Sequence, residues 1–205
     1  MFIVLEGLDG CGKSTQATYL KEYLEEKYPN QKVIITREPG GTDCPVSEKI
    51  RDIILYNEMD EYTRALLYAA SRYEHQLQIK KWLDEGAIVI CDRYIYSSLA
   101  YQSSLGVPQE EILSINRYKD IVRPDIVFYL RISMDTYTLR KRQRALERNL
   151  DVLELRSEEF FSNAMKNFIT SNEYIDEYYT EIDANGSIQE VRNNIEKEIN
   201  NILYI

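Results

Sequence analysis

The chain has 205 residues, 44% of them apolar, and its 34 acids outweigh 25 lysines and arginines to give a net charge of −9. That apolar content supports one sizeable core, and a single domain over residues 1–205 is expected. The acidic balance excludes a general electrostatic grip on nucleic acid or on an anionic membrane surface, so any phosphate must be met by a local cluster of arginines and lysines.

Met1–Phe2–Ile3–Val4–Leu5 is an apolar run far below the roughly 20 residues of a membrane span, and it predicts a buried strand with neither export nor membrane insertion. After a glycine-rich stretch, Ala17, Leu20, Leu24 and Tyr28 recur at helical spacing, and Pro29–Asn30 ends that helix. Val33–Ile34–Ile35–Thr36 predicts a second strand closed by Pro39–Gly40–Gly41, followed by a helix from about Ser47 to Leu55. From Asp60 to Leu83 no proline or glycine intervenes, and Leu66, Leu67, Tyr68, Ala70, Tyr73 and Leu77 predict a long, largely buried helix. Ala87–Ile88–Val89–Ile90–Cys91 is continuously apolar, as a central parallel strand covered on both faces would be, and Asp92–Arg93 at its carboxyl end marks a site edge.

Pro108, read as part of a first helical turn, introduces another helix; Ile126 to Leu130 is a fourth strand and Glu181–Ile182–Asp183 a weak fifth. A terminal helix starts near Ile188, with Ser187 and Glu190 at capping-box spacing. Strands alternating with helices predict an α/β fold with a parallel sheet, right-handed crossovers and ligands at the carboxyl ends of the strands. Cys11, Cys44 and Cys91 are too few and too scattered for a disulfide framework or a zinc site, and they fit a reducing, cytoplasmic compartment.

Gly7-x-x-x-x-Gly12-Lys13-Ser14 has P-loop spacing between a predicted strand and a predicted helix. Backbone N–H groups from Gly10 to Thr15 then point into one concavity at the positive end of a helix, with Lys13 directed to the β- and γ-phosphates and the Ser14 hydroxyl to Mg²⁺. Gly7, Leu8, Asp9, Gly10, Cys11, Gly12, Lys13, Ser14 and Thr15 are the candidate ATP-binding loop. Asp92 is the candidate second metal residue, and Arg93 offers a planar fork to a phosphate, or else the two form a plain ion pair. Asp9 is out of place in an anion cradle and reads as a turn former unless it faces something else. Arg140, Lys141, Arg142, Arg144 and Arg148 concentrate positive charge in an acidic chain, either as a solvated helix face or as a mobile lid over phosphates.

Together, Glu6 to Thr15, Arg37–Glu38–Pro39–Gly40–Gly41–Thr42, Ser47 to Arg51, Ala69 to His75 and Asp92–Arg93–Tyr94–Ile95–Tyr96–Ser97–Ser98–Leu99–Ala100–Tyr101–Gln102 resemble the thymidylate kinase family. The likeness continues through Arg123–Pro124–Asp125 and Ile182–Asp183–Ala184. It implies a three-layer P-loop kinase fold, with a parallel five-stranded sheet flanked by helices on both faces and a mobile basic lid over about 135–155. It also implies transfer of the γ-phosphoryl group of ATP to dTMP with Mg²⁺, in a cytoplasmic enzyme that is usually a homodimer. Residue by residue, it puts Tyr68 on thymine, Arg72 on the base edge with Ser98 and Gln102 nearby, and Pro39 and Arg51 in the pocket wall. Tyr101 lies at the 2′ position, and Arg37, with Glu38 beside it, and Arg93 face the acceptor phosphate. Asp9 faces the acceptor nucleotide, and Arg140, Arg142 and Arg144 are lid arginines, so Asp9, Lys13, Arg93, Arg142 and Arg144 form the catalytic set.

Two departures from the family pattern stand out: Val152 replaces an arginine in a lid about three residues longer than in the family's shorter bacterial forms, and Tyr68 replaces a phenylalanine. His75, the only histidine, is read as structural. The rival readings are a small-molecule kinase of the same fold with another acceptor, and a nucleotide-binding protein without turnover.

Overall fold

The computed structural model describes residues 1–147, 153–170 and 178–203. Five strands, β1 (Phe2–Glu6), β2 (Val33–Arg37), β3 (Ile88–Asp92), β4 (Ile126–Arg131) and β5 (Tyr178–Asp183), form one parallel sheet in the order β2-β3-β1-β4-β5. The helices between and after them are α1 (Lys13–Lys27), α2 (Pro45–Tyr56), α3 (Glu61–Asp84), α4 (Ile95–Tyr101), α5 (Gln109–Ile115), α6 (Met134–Glu147), α7 (Glu158–Thr170) and α8 (Ile188–Leu203). This is the expected α/β architecture, with α1 and α8 packed together beside the sheet and α3, α4 and α7 forming a second group. Among the described residues no helix is long and apolar enough to cross a membrane.

The central strands explain the apolar runs. All five residues of β1 and the first five of β4 are buried, and each fully buried Ile, Val, Leu or Phe contributes about 1.5–3 kcal/mol relative to exposure. At the edge, β5 buries only Ile182, yet it runs from Tyr178 rather than Glu181. Its whole length is paired with β4, from Ile126 opposite Tyr178 to Arg131 opposite Asp183, and that pairing organises residues whose own β signal is weak. Pro108 stands immediately before α5 with extended ψ, not within its first turn. The Ser187–Glu190 capping box forms as read, with reciprocal bonds of 2.7 and 3.3 Å.

One expectation is overturned. The inward face of α3 is mixed, with Arg64, Ser71, Arg72, His75 and Gln76 buried beside Ala65, Ala69, Ile79 and Trp82, whereas Leu66, Ala70, Tyr73 and Leu77 point outward. Leu66 is 44% and Leu77 57% exposed. The spacing of these four alternates between four and three residues, which is a packing seam along one side of a helix, and the described residues do not cover it.

Register sets the site. Leu5 and Arg37 are both opposite Asp92, so the loops after β1, β2 and β3 leave the sheet side by side at its carboxyl edge.

Candidate active site

The loop after β1 turns through Gly7, Gly10 and Gly12, all at positive φ. A side chain at Gly7 would lie 2.6 Å from the Leu130 carbonyl oxygen of the neighbouring strand, so the turn needs glycine there. Lys13 is buried and donates from Nζ to the carbonyls of Gly7 (3.0 Å) and Leu8 (3.1 Å), with the Cys11 Sγ at 3.8 Å. The Ser14 hydroxyl donates to Asp92 Oδ2 at 2.7 Å. All three cysteines are unpaired and buried.

Three clefts join into one trough. The middle one, about 450 Å³, is lined by the loop from Asp9 to Thr15 together with Arg37, Arg51, Asp92, Arg93 and Arg144. On one side it shares Asp9, Glu38, Arg51 and Arg93 with a smaller cavity of about 110 Å³ lined by Pro39, Tyr68, Arg72, Ser98, Tyr101, Gln102 and Leu153. On the other it shares Gly10, Gly12, Thr15 and Arg144 with a cleft of about 540 Å³ that reaches Arg140, Ala184 and Ile188. Lys13, Arg37, Arg51, Arg93 and Arg144 thus converge on the centre of a chain whose net charge is −9.

Asp9 and Arg93 mark the junction of the first two clefts. Arg93 Nη2 donates to Asp9 Oδ1 at 2.6 Å, and its Cζ lies 5.2 Å from the Tyr101 ring centroid. Burial raises the Asp9 pKa, but the charges of Arg93 and Lys13, the hydrogen bond from Arg93 and the charge of Arg144 outweigh it and hold the carboxyl well below its usual range. For Arg93, burial opposes the charged form, but Asp9 together with Tyr101, Asp92 and Glu6 outweighs it, so the guanidinium is held charged. The Tyr101 hydroxyl is pushed up by burial in spite of Arg93. At neutral pH the junction is a carboxylate beside a guanidinium, with a neutral phenol against it.

The walls of the smaller cavity are fixed by buried hydrogen bonds. Arg72 donates from Nε to Glu38 Oε2 (2.7 Å), from Nη1 to Asn116 Oδ1, and from Nη2 to the Tyr94 carbonyl (3.2 Å) and Ser98 Oγ (3.1 Å). His75 is fully buried between Thr36 Oγ1 (2.7 Å) and Glu38 Oε1 (3.2 Å), lines none of the clefts and props the Glu38 side of this network. Arg51 donates to the Pro39 carbonyl at 2.7 Å, while Arg37 is engaged by both carboxylate oxygens of Glu48 at 3.0 and 2.9 Å. That last pair is half exposed and is worth at most about 1 kcal/mol, so a bound anion can compete for Arg37.

The basic segment lies on α6. Arg140 donates to the carbonyls of Gly10 and Ala184, both at 3.1 Å, and ties the helix to the far cleft. Arg144 covers the P-loop so closely that a Cβ on Gly10 would lie 3.1 Å from its Cζ. Its Nη1 pairs with Glu154 at 3.3 Å, whereas Nε and Nη2 are buried without a hydrogen-bond partner among the described residues. Arg142 is exposed and lines none of the three clefts. Arg148, Asp151 and Val152 lie outside the described residues.

A sequence model of the thymidylate kinase family matches residues 5–195. The chain belongs to the thymidylate kinase family. It is 38% identical to the thymidylate kinase of Mycoplasma mobile over 99% of each chain, and 37% identical to that of Clostridium novyi over 93% of each. The crystal structure of thymidylate kinase from Ehrlichia chaffeensis superposes with a TM-score of 0.76 at 29% identity, covering 97% of this chain and 98% of that one.

Four residues in or behind this family member's trough received no role from the sequence: Glu6, Ser97, Leu153 and Glu154. Glu6 is fully buried and accepts from Ser97 Oγ at 2.6 Å, Leu153 lines the smaller cavity, and Glu154 is almost wholly buried against Arg144. For Glu6 the signal was available as a charged residue closing an apolar strand, and for Ser97 as a member of the Asp92 to Gln102 motif; for Leu153 and Glu154 only the packed structure supplies it.

Proposed function

We propose that the chain transfers the γ-phosphoryl group of ATP to dTMP, giving dTDP and ADP, as a single catalytic domain whose lid is built on α6. The observation that carries this reading is the continuous trough, with a phosphate loop in the middle and Asp9 and Arg93 where the loop meets the smaller cavity. A phosphate oxygen of dTMP forms the new bond to γ-phosphorus, the bond to the β–γ bridging oxygen breaks, and ADP leaves with that electron pair. The attacking oxygen is already anionic, so no general base is required, and catalysis is alignment plus neutralisation of charge.

Placement supports each role in this reading. Lys13 leaves the loop carbonyls for the donor phosphates, and Arg93 spans the gap to the acceptor phosphate, with Arg37 and Arg51 on the same cleft. Asp9 holds Arg93 and faces the acceptor side. Arg144 brings to the transferring group two donor nitrogens that have no hydrogen-bond partner among the described residues. Tyr68 offers a ring to the thymine base, the fixed Arg72–Ser98–Gln102 wall reads its edge, and the buried Tyr101 phenol disfavours a 2′-hydroxyl.

Ser14 Oγ and Asp92 Oδ2 bring hard oxygen donors to the P-loop cleft and suit Mg²⁺, which when bound neutralises donor phosphate charge. Among the described residues no three His, Cys, Asp or Glu side chains converge, as suits an ion held chiefly by nucleotide and water. A cytoplasmic setting agrees with three unpaired cysteines. The outward seam Leu66–Ala70–Tyr73–Leu77 supports a homodimer closed across α3, and sedimentation should give twice the chain mass of 24.2 kDa; a monomer at micromolar concentration would contradict that.

A coupled ADP-release assay over dTMP, dUMP, dCMP and thymidine tests the acceptor assignment. The expected result is highest kcat/KM with dTMP, and faster turnover of any of the other three would overturn it.

A further inference from the structure

Arg93 has to reach two phosphates from an awkward backbone. Its φ is +75°, in the left-handed region that a non-glycine residue rarely occupies, so the conformation persists only where surrounding contacts impose it. Two of its contacts, with Asp9 and with the Tyr101 ring, lie on the side where the acceptor binds. The others hold its second terminal nitrogen: Nη1 donates to Ser97 Oγ at 2.8 Å, on the wall of the same cavity, and to the Gly7 carbonyl at 3.1 Å.

Ser97 is itself held by Glu6. Glu6 Oε1 accepts from the backbone N–H groups of Tyr94 (2.7 Å) and Ser97 (3.0 Å), which can only donate, and Oε2 accepts from the Ser97 hydroxyl at 2.6 Å. That bond points the hydroxyl hydrogen toward Glu6 and leaves an Oγ lone pair facing Arg93. A carboxylate with 0% exposure at the end of the most buried strand is unfavourable unless fully hydrogen-bonded, and here every bond it makes goes to the turn that carries Arg93. We infer that Glu6 and Ser97 are positioning residues for the phosphoryl transfer, holding Arg93 through the chain Glu6–Ser97–Arg93. Glu6 lines none of the clefts, and Ser97, on the wall of the smaller cavity, acts through its bond to Arg93. Burial raises the Glu6 carboxyl, against the pull of Arg93 and the hydrogen bonds from Ser97 and Tyr94, which agrees with a group confined for its contacts.

This inference rests on the proposed dTMP kinase activity, and the test separates the two. Ser97→Ala removes the link to Arg93 but keeps both backbone bonds to Glu6, so the start of α4 is preserved. With ATP and dTMP, kcat should fall about 10-fold with an unchanged Tm and little change in the KM for ATP, and Ser97→Thr, which restores a hydroxyl, should recover most of it. Glu6→Gln keeps an acceptor for the backbone but turns an amide donor toward Ser97, so it should reproduce the kinetic loss. Introducing Ser97→Ala into the Arg93→Ala background should then cost nothing further, because the residue acts through Arg93.

Wild-type kcat in Ser97→Ala, or an equal loss with and without Arg93, would overturn the positioning role while leaving the activity intact. If Ser97→Ala lowers Tm, the Glu6→Gln and Ser97→Thr kinetics decide by the same criteria. Absence of ADP release from the wild-type protein with dTMP would instead remove the activity and this inference with it.

Discussion

Arg93→Ala is expected to lower kcat/KM for dTMP by about 10²-fold or more, with most of the loss in kcat. The side chain stands at the junction of the acceptor cavity and the P-loop cleft and is held charged by Asp9 at 2.6 Å. Removing it deletes a donor that is already aligned where negative charge accumulates, and it leaves the Asp9 carboxylate facing a phosphate without its partner. Arg93→Lys should recover little, since a point charge cannot span the Asp9, Ser97 and Gly7 contacts that the fork makes at once. Steady-state kinetics at saturating ATP are the measurement, and a variant within twofold of wild type would remove Arg93 from the transition state.

Arg144→Ala should show the second large effect, a fall in kcat on the order of 10²-fold with a smaller change in the KM for dTMP. Its Nε and Nη2 are buried beside Gly10 without a hydrogen-bond partner among the described residues, an unfavourable arrangement that a phosphoryl group would relieve. Arg142→Ala is the matched control. That residue is exposed on the same helix and should stay within about twofold of wild type. Comparable kcat losses in the two variants would mean that α6 turns on closure and that the open and closed lids present different arginines.

The lid shows where sequence stops being informative. Arg140, Arg142 and Arg144 are spaced by two residues, so each points about 200° around α6 from the next, and only docking of the helix decides which faces the P-loop. The loop itself was legible because its glycines, lysine and serine are fixed relative to one another by a few covalent bonds between a strand and a helix. The same was true of β3, whose apolar run and terminal Asp92–Arg93 state both its burial and its polar end.

The long helix α3 was legible as a helix and misread as to its faces. Apolar side chains usually turn inward, but here the inward side also carries Arg72 for the acceptor wall and His75 to prop Glu38 behind it, and the apolar seam of Leu66, Tyr73 and Leu77 is turned out. Adjacent serines give the finest case. Ser98 bonds Arg72 and Ser97 bonds Arg93, a division made by the 100° step along α4 and invisible in the pair of letters.

The central claim is tested most directly by incubating the protein with ATP, Mg²⁺ and dTMP and measuring dTDP and ADP together by chromatography. The account predicts equal amounts of both products, formed only when dTMP is present. ATP binding without dTDP, or ADP release that does not depend on dTMP, would contradict it.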